Sequence, residues 1–134
     1  MLQVNACIPF LRVDMIIDFI DKCAASRKPS FAVVRKKNYF VHIDGQPINW
    51  SRDIVTINTK KVSEVYEFAH VFYFFKKKYF IEHGWYWDWN DLQYLEIPSG
   101  LEIFDIDTEE EFQMAEAIWR AKKDPVIEKR GVVR

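Results

Sequence analysis

The sequence predicts an α/β fold in which helices cover a mostly parallel sheet. Three observations lead there. An apolar, strand-like opening changes at Arg12 to helical spacing. Short β-branched and aromatic runs then recur through the middle of the chain. A sharply signalled helix follows the last of these runs near residue 108. The order strand, helix, strand, β-rich insertion, strand, helix is an α/β layout. With 134 residues, 49% of them apolar, the chain forms one domain with a real core.

Leu2 to Cys7 reads as the first strand and is followed by Pro9. Val13, Ile16, Ile17, Ile20 and Cys23 or Ala24 share one helical face, which makes them the expected inward side of a helix ending near Ser26. Phe31 to Val34 is the next strand. Tyr39 to Ile43 and Ile48 to Trp50 are expected to pair across the turn at Asp44-Gly45. Ile54 to Ile57 is a further short extended stretch. Val71 to Phe75 reads as a buried strand, and Lys76 to His83 as a helix stopped by Gly84. Leu92 to Ile97 is extended up to Pro98, and Ile103 to Ile106 is expected to carry a strand to Asp105 and Asp107. Thr108-Glu109-Glu110-Glu111 fits a capping box, with Phe112, Ala115, Ile118 and Trp119 facing inward behind it. Residues 124–134 read as an extended tail.

The formal net charge of −1, with both signs interspersed, argues against binding a nucleic-acid polymer. Arg35-Lys36-Lys37 and Lys76-Lys77-Lys78 read as solvated runs. Cys7 and Cys23 lack metal or disulfide spacing and are expected to be free, buried thiols in a reducing compartment. No apolar run is long enough to cross a bilayer, and no signal peptide opens the chain, so a cytoplasmic location without membrane is expected. The stretch "VYEFAHVFYFFKKKYFIEHGWYWDW" is more aromatic than a small core requires, which suggests an interface. His42, His70 and His83 show no ligand spacing.

Three segments carry a family resemblance. "VNACIPFLRVDMIIDFI" is similar to the strand–proline loop–Arg–helix segment of acylneuraminate cytidylyltransferases, the CMP-sugar synthetases. "LEIPSGLEIFDIDTEEEFQMAEAI" resembles their carboxyl-terminal Asp-Ile-Asp-Thr pattern, and "VYEFAHVFYFFKKKYFIEHG" is similar to the strand and helix between the two. The resemblance implies a Rossmann-like nucleotide-diphospho-sugar transferase fold, incomplete at its N-terminus. A β-rich dimerisation arm would span about residues 45–85. It further implies transfer of CMP from CTP to a sialic-acid-like, anionic sugar acid with release of pyrophosphate, by a homodimer using Mg²⁺. Asp105 and Asp107 match the family's metal-holding pair. Mg²⁺ suits one or two carboxylates completed by phosphate oxygens and water; Mn²⁺ suits the same pair. The bland reading of both is a polar loop before a capped helix.

Arg12 is a candidate for a phosphate or carboxylate, or else a first-turn surface arginine. Lys60 and Lys61 are candidates for an anionic sugar, or simply solvated. The family's glycine-rich triphosphate loop has no counterpart: the four glycines are at 45, 84, 100 and 131. The family's Thr-Ser before the proline is Cys7-Ile8 here, and its Asn-Gly is Ala69-His70. The isolated chain is therefore expected to be inactive. A catalytically inactive dimeric binding or assembly module is the alternative, and a fragment of a sugar-nucleotide glycosyltransferase the second.

Overall fold

The computed structural model describes residues 1–123; the expected tail, 124–134, lies outside them. Four strands form one mixed sheet: β1 (Leu2–Val4), β2 (Ser30–Lys36), β3 (Val65–Phe74) and β4 (Gln93–Glu96). Their spatial order is β1-β3-β2-β4. Three helices accompany them: α1 (Val13–Ser26), α2 (Lys77–His83) and α3 (Glu109–Lys123). The α/β class is as expected, but the sheet is not mostly parallel. β3 runs antiparallel to both its neighbours, and only β2 and β4 are parallel. The reason is connectivity: β3 enters from a long excursion, residues 37–64, and not from a crossover helix.

Helix α1 closes as its sequence suggests. Arg27 takes the left-handed conformation at φ 55°, and its N–H donates to the Cys23 carbonyl at 2.8 Å just ahead of Pro29. The buried face differs from the expected one. Met15, Phe19 and Cys23 are buried, while Val13, Ile17 and Ile20 are exposed. This helix is apolar around most of its circumference, so periodicity alone offered two stripes. The sheet takes the one holding Phe19, whose ring stacks on Phe72 with centroids 4.7 Å apart. Cys23 is buried as expected, but Cys7 is exposed in the loop after β1.

The two faces of the sheet carry separate cores. Ala32, Phe72 and Leu95 pack with Met15 and Phe19 of α1 on one side. Phe31, Val33 and Trp87 pack with Phe68 and Tyr73 on the other. Alternation along the strands produces this division. It is broken once. The β2–β3 register jumps from Phe31↔Tyr73 to Val33↔Phe68, and inside the resulting bulge His70 sits at φ 51°.

The base of the excursion is closed by Asn49, with Tyr39 and Trp50 tying its interior to the backbone of Asn58 and Phe40. Asn49 is buried and accepts from the Phe40 N–H at 3.0 Å. Its amide donates to the carbonyls of Asn38 (2.8 Å) and Ser63 (2.6 Å). The turn at Asp44-Gly45 is present, with Gly45 at φ 83°, but it joins a single bridge, Val41↔Pro47, and not two full strands. Ile54 to Ile57 forms no strand either. Of the stretch 45–85 expected to act as an arm, residues up to 64 leave the sheet, whereas 65–74 are β3 itself. Val55 and Ile57 are 94% and 84% exposed.

Helix α2 ends at Gly84 (φ 65°), whose N–H donates to the Phe80 carbonyl at 2.9 Å, as expected. No strand reaches the aspartates: Leu101–Ile103 is a 3-10 turn followed by irregular chain. Among the described residues no helix is long and apolar enough to cross a membrane.

The face of α1 can be checked directly. Phe19→Ala should lower unfolding stability by about 3–5 kcal/mol, whereas Ile17→Ala should change it by less than about 0.5 kcal/mol. Urea titrations of the two variants decide the matter, and the reverse order would assign the buried face to Ile17.

Candidate functional site

Asp105 and Asp107 lie in the irregular segment that leads into α3. The cap behind them forms as its sequence requires. The Glu111 N–H donates to Thr108 Oγ1 at 3.2 Å, and the Glu111 carboxylate accepts from the Thr108 N–H at 2.8 Å. The same carboxylate also accepts from the Asp107 N–H at 2.8 Å. These donors hold the Glu111 carboxyl below its usual range, the Asp107 N–H contributing most. Its stabilising effect is therefore present above the ordinary glutamate range and is lost as pH falls through the lowered value.

A second anchor comes from the far end of the chain. The Ile106 N–H donates to the Cys7 carbonyl at 3.1 Å. Asn5, one residue past β1, accepts from the Cys7 N–H through Oδ1 at 2.9 Å. That bond orients the amide and leaves Nδ2 to donate to Asp105 at 3.3 Å. Asp105 is thus partly buried against a neutral donor, and Asp107 is exposed. Both lie beside the carboxyl end of β1, the region where open α/β sheets place their ligands.

The donor set can be tested against a metal. Among the described residues no three His, Cys, Asp or Glu side chains gather as a metal site. A closed structural zinc site is thus not formed by them. Two carboxylates, one exposed and one held by an amide, are the donor type that Mg²⁺ or Mn²⁺ takes when phosphate and water supply the remaining oxygens.

The other candidates are placed less favourably. Arg12 precedes α1. Its Nε donates to Asp14 at 2.9 Å, a second nitrogen also pairs with Asp14, and a third lies 3.7 Å from Glu102. The Asp14 hydrogen bond raises the Arg12 pKa and, reciprocally, lowers that of Asp14. An incoming anion would compete with two carboxylates. Lys60 and Lys61 occupy an exposed 3-10 turn of the excursion, and among the described residues no hydrogen bond or ion pair ties them to the aspartates. Arg35, from a run read as merely solvated, forms an exposed network with Glu64 and Glu96, both at 2.6 Å.

One feature was not expected from the sequence. On the face of the sheet away from α1 lies a cavity of about 320 Å³. Phe31, Phe68, Tyr73, Tyr86 and Trp87 contribute its walls, and Trp85 and Trp89 its rim. Gln3 and His70 supply polar edges. Register explains the first row of this lining. Gln3 on β1 is paired with Tyr73 on β3, which is paired with Phe31 on β2, so all three project to one face. His70 Nδ1 lies 2.9 Å from the Tyr73 hydroxyl. Burial pushes the Tyr73 hydroxyl up, with further contributions from Tyr86 and from the charge of Asp105. Asp105 and the cavity therefore adjoin, Gln3 of β1 lining the cavity and Asn5 just beyond it donating to Asp105. The alternation in "AHVFYF" and the "WYWDW" run were the available signals; the bulge that aligns them was not.

Neither a protein-family model nor a curated protein matches this chain.

The double variant Asp105→Asn/Asp107→Asn should keep the parent's melting temperature, since one 3.3 Å contact from a neutral amide is its main loss. It should lose Mn²⁺-induced broadening of the amide signals around residues 105–107. Thr108→Ala should do the opposite, losing about 1 kcal/mol of stability and retaining the Mn²⁺ response. Failure of the double variant to fold would make the pair structural.

Proposed function

We propose that the chain is a nucleotidyltransferase-type protein resembling the carboxyl-terminal part of CMP-sugar synthetases, its sheet a part of a Rossmann-like fold. One observation carries this reading. Asn5 and Asp105, 100 residues apart in the chain, belong to the first and last of the three segments on which the resemblance rests, and they are hydrogen-bonded to each other. Juxtaposition of these segments is what a shared nucleotide-sugar site requires, and their sequence similarity did not demand it.

In this reading Asp105 and Asp107 hold Mg²⁺, with Asn5 fixing the direction of the Asp105 carboxylate. The ion, when bound, offsets negative charge on phosphate oxygens. The protein's own contribution is orientation: β1 and the Glu111 carboxylate pin the aspartate loop from two sides. Phosphoryl transfer depends mostly on positioning and charge stabilisation, and the four glycines, at 45, 84, 100 and 131, are too scattered in the sequence for a glycine-rich triphosphate loop. Ligand recognition without turnover follows for the chain by itself.

The alternative, a catalytically inactive dimeric module, draws support from the excursion. Val55 and Ile57 stand almost wholly exposed there, and Ile43 at the hairpin turn is fully so. Apolar side chains presented this way suit burial against a second copy.

Two outcomes are expected. Pure chain supplied with CTP, N-acetylneuraminate and Mg²⁺ releases no pyrophosphate, yet CTP strengthens the Mn²⁺ broadening at residues 105–107 by completing the metal's oxygen shell. A Mn²⁺ response that added CTP leaves unchanged would sink the nucleotide reading. Sedimentation should show a dimer that Val55→Glu/Ile57→Glu converts to monomer; a monomeric parent at tens of micromolar excludes the arm as a self-association surface.

A further inference from the structure

We infer that the aromatic cavity beside β1 is a binding site for an uncharged sugar ring, a neutral pyranoside. Its shape comes first. It is concave and about 320 Å³, within the size range of small-ligand sites. The hollow is broadly open to solvent, which suits a compact molecule that lays one face on the rings.

The lining then selects the chemistry. Seven of its nine residues are Phe, Tyr or Trp, and none is Lys, Arg, Asp or Glu. A carboxylate or phosphate would enter without a counter-charge and close to Asp105. A cation would enter without a carboxylate among the lining residues. The ligand is therefore neutral. Aromatic faces carry negative charge density and attract the weakly positive C–H face of a pyranose. The ring's hydroxyls need partners around its edge, and Gln3, Tyr86 and the His70–Tyr73 pair provide them. A nucleobase would ask for two parallel walls. Phe68 and Trp89 come near to that, at 14° with centroids 6.3 Å apart, whereas Trp85 and Trp89 are inclined at 39°; a stronger response to cytidine than to the pyranoside would therefore overturn the assignment.

Two further features mark the cavity as built for occupancy. Trp85 and Trp89 remain 45% and 54% exposed at its rim, although burial of either would be favourable. His70 holds a left-handed backbone that costs a non-glycine residue energy, and the bulge it creates brings Phe68 and Tyr73 to the same face. The buried Trp87 indole N–H has no oxygen or nitrogen partner among the described residues. Its ring stands at 81° to Phe31 and 87° to Trp89, so any shift of the rim changes its surroundings.

This inference goes beyond the function proposed above, whose sugar is an anionic acid: it concerns a second, neutral sugar, rests on the cavity and needs no metal. Full-length chain labelled with ¹⁵N is titrated with methyl N-acetyl-β-D-glucosaminide, and the tryptophan indole N–H signals are followed without metal. Saturable shifts of Trp85, Trp87 and Trp89 are expected in the millimolar range. N-acetylneuraminate and tetramethylammonium should bind more weakly. Trp89→Ala, at an exposed position, should weaken the pyranoside roughly tenfold, while Lys78→Ala, on the solvent side of α2, should leave it unchanged. No saturable shift, a stronger response to either charged probe, or an unaffected Trp89→Ala variant overturns the assignment. Indole signals that instead move with protein concentration assign the rim to self-association and equally overturn it. Pyranoside binding that survives alongside a failed Mn²⁺ response at residues 105–107 would leave the cavity standing and remove the nucleotide reading.

Discussion

Everything in this molecule depends on the antiparallel seating of β3 between β1 and β2. Among the described residues β1 has no other strand partner. Through it β3 fixes Asn5, and through Asn5 the loop bearing Asp105. On its other side β3 sets Tyr73 opposite Phe31. A slip of one residue would exchange the sheet's two faces, moving Phe72 off Phe19 and Tyr73 out of the cavity together. Helix packing and site geometry are thus two results of one register.

That dependence explains what could be read from the residues in advance. Features decided within a few positions were legible: the capping box at Thr108 and Glu111, the Gly84 stop of α2, the turn at Asp44-Gly45 and the length of α1. Each is a contest between local backbone conformations. Features decided by distant partners were not. Periodicity offered α1 two apolar stripes, and only the presence of Phe72 selects Phe19 over Ile17. The direction of β3 is a matter of chain path, to which an apolar run is blind. The strand expected before Asp105 is absent because that segment is fastened by Asn5 and Cys7 and not by a neighbouring strand. Inward positions on α3 were only partly right: Ala115 is buried, but Phe112 and Trp119 are about half exposed.

The candidate site follows the same division. Asp105 and Asp107 were recognisable by pattern, and the capped helix behind them by chemistry. Arg12 was recognisable as a cation but not as one already held between Asp14 and Glu102. The cavity could not be read at all, because its walls come from four separate segments aligned by a bulge. Its aromatic residues were noticed as excess, and the excess is now seen to be arranged around a hollow.

Asn49 leads to a different kind of conclusion. Its amide closes the base of the excursion by bonding both the outgoing strand of chain at Asn38 and the returning one at Ser63. Beyond that clasp the excursion shares little with the cores on either face of the sheet. Such a segment meets the description of a separate cooperative unit, able to open and close while the sheet stays folded. One polar side chain then acts as a latch: native-state hydrogen exchange would see two levels of protection in one small domain, with the boundary between them falling at residue 49.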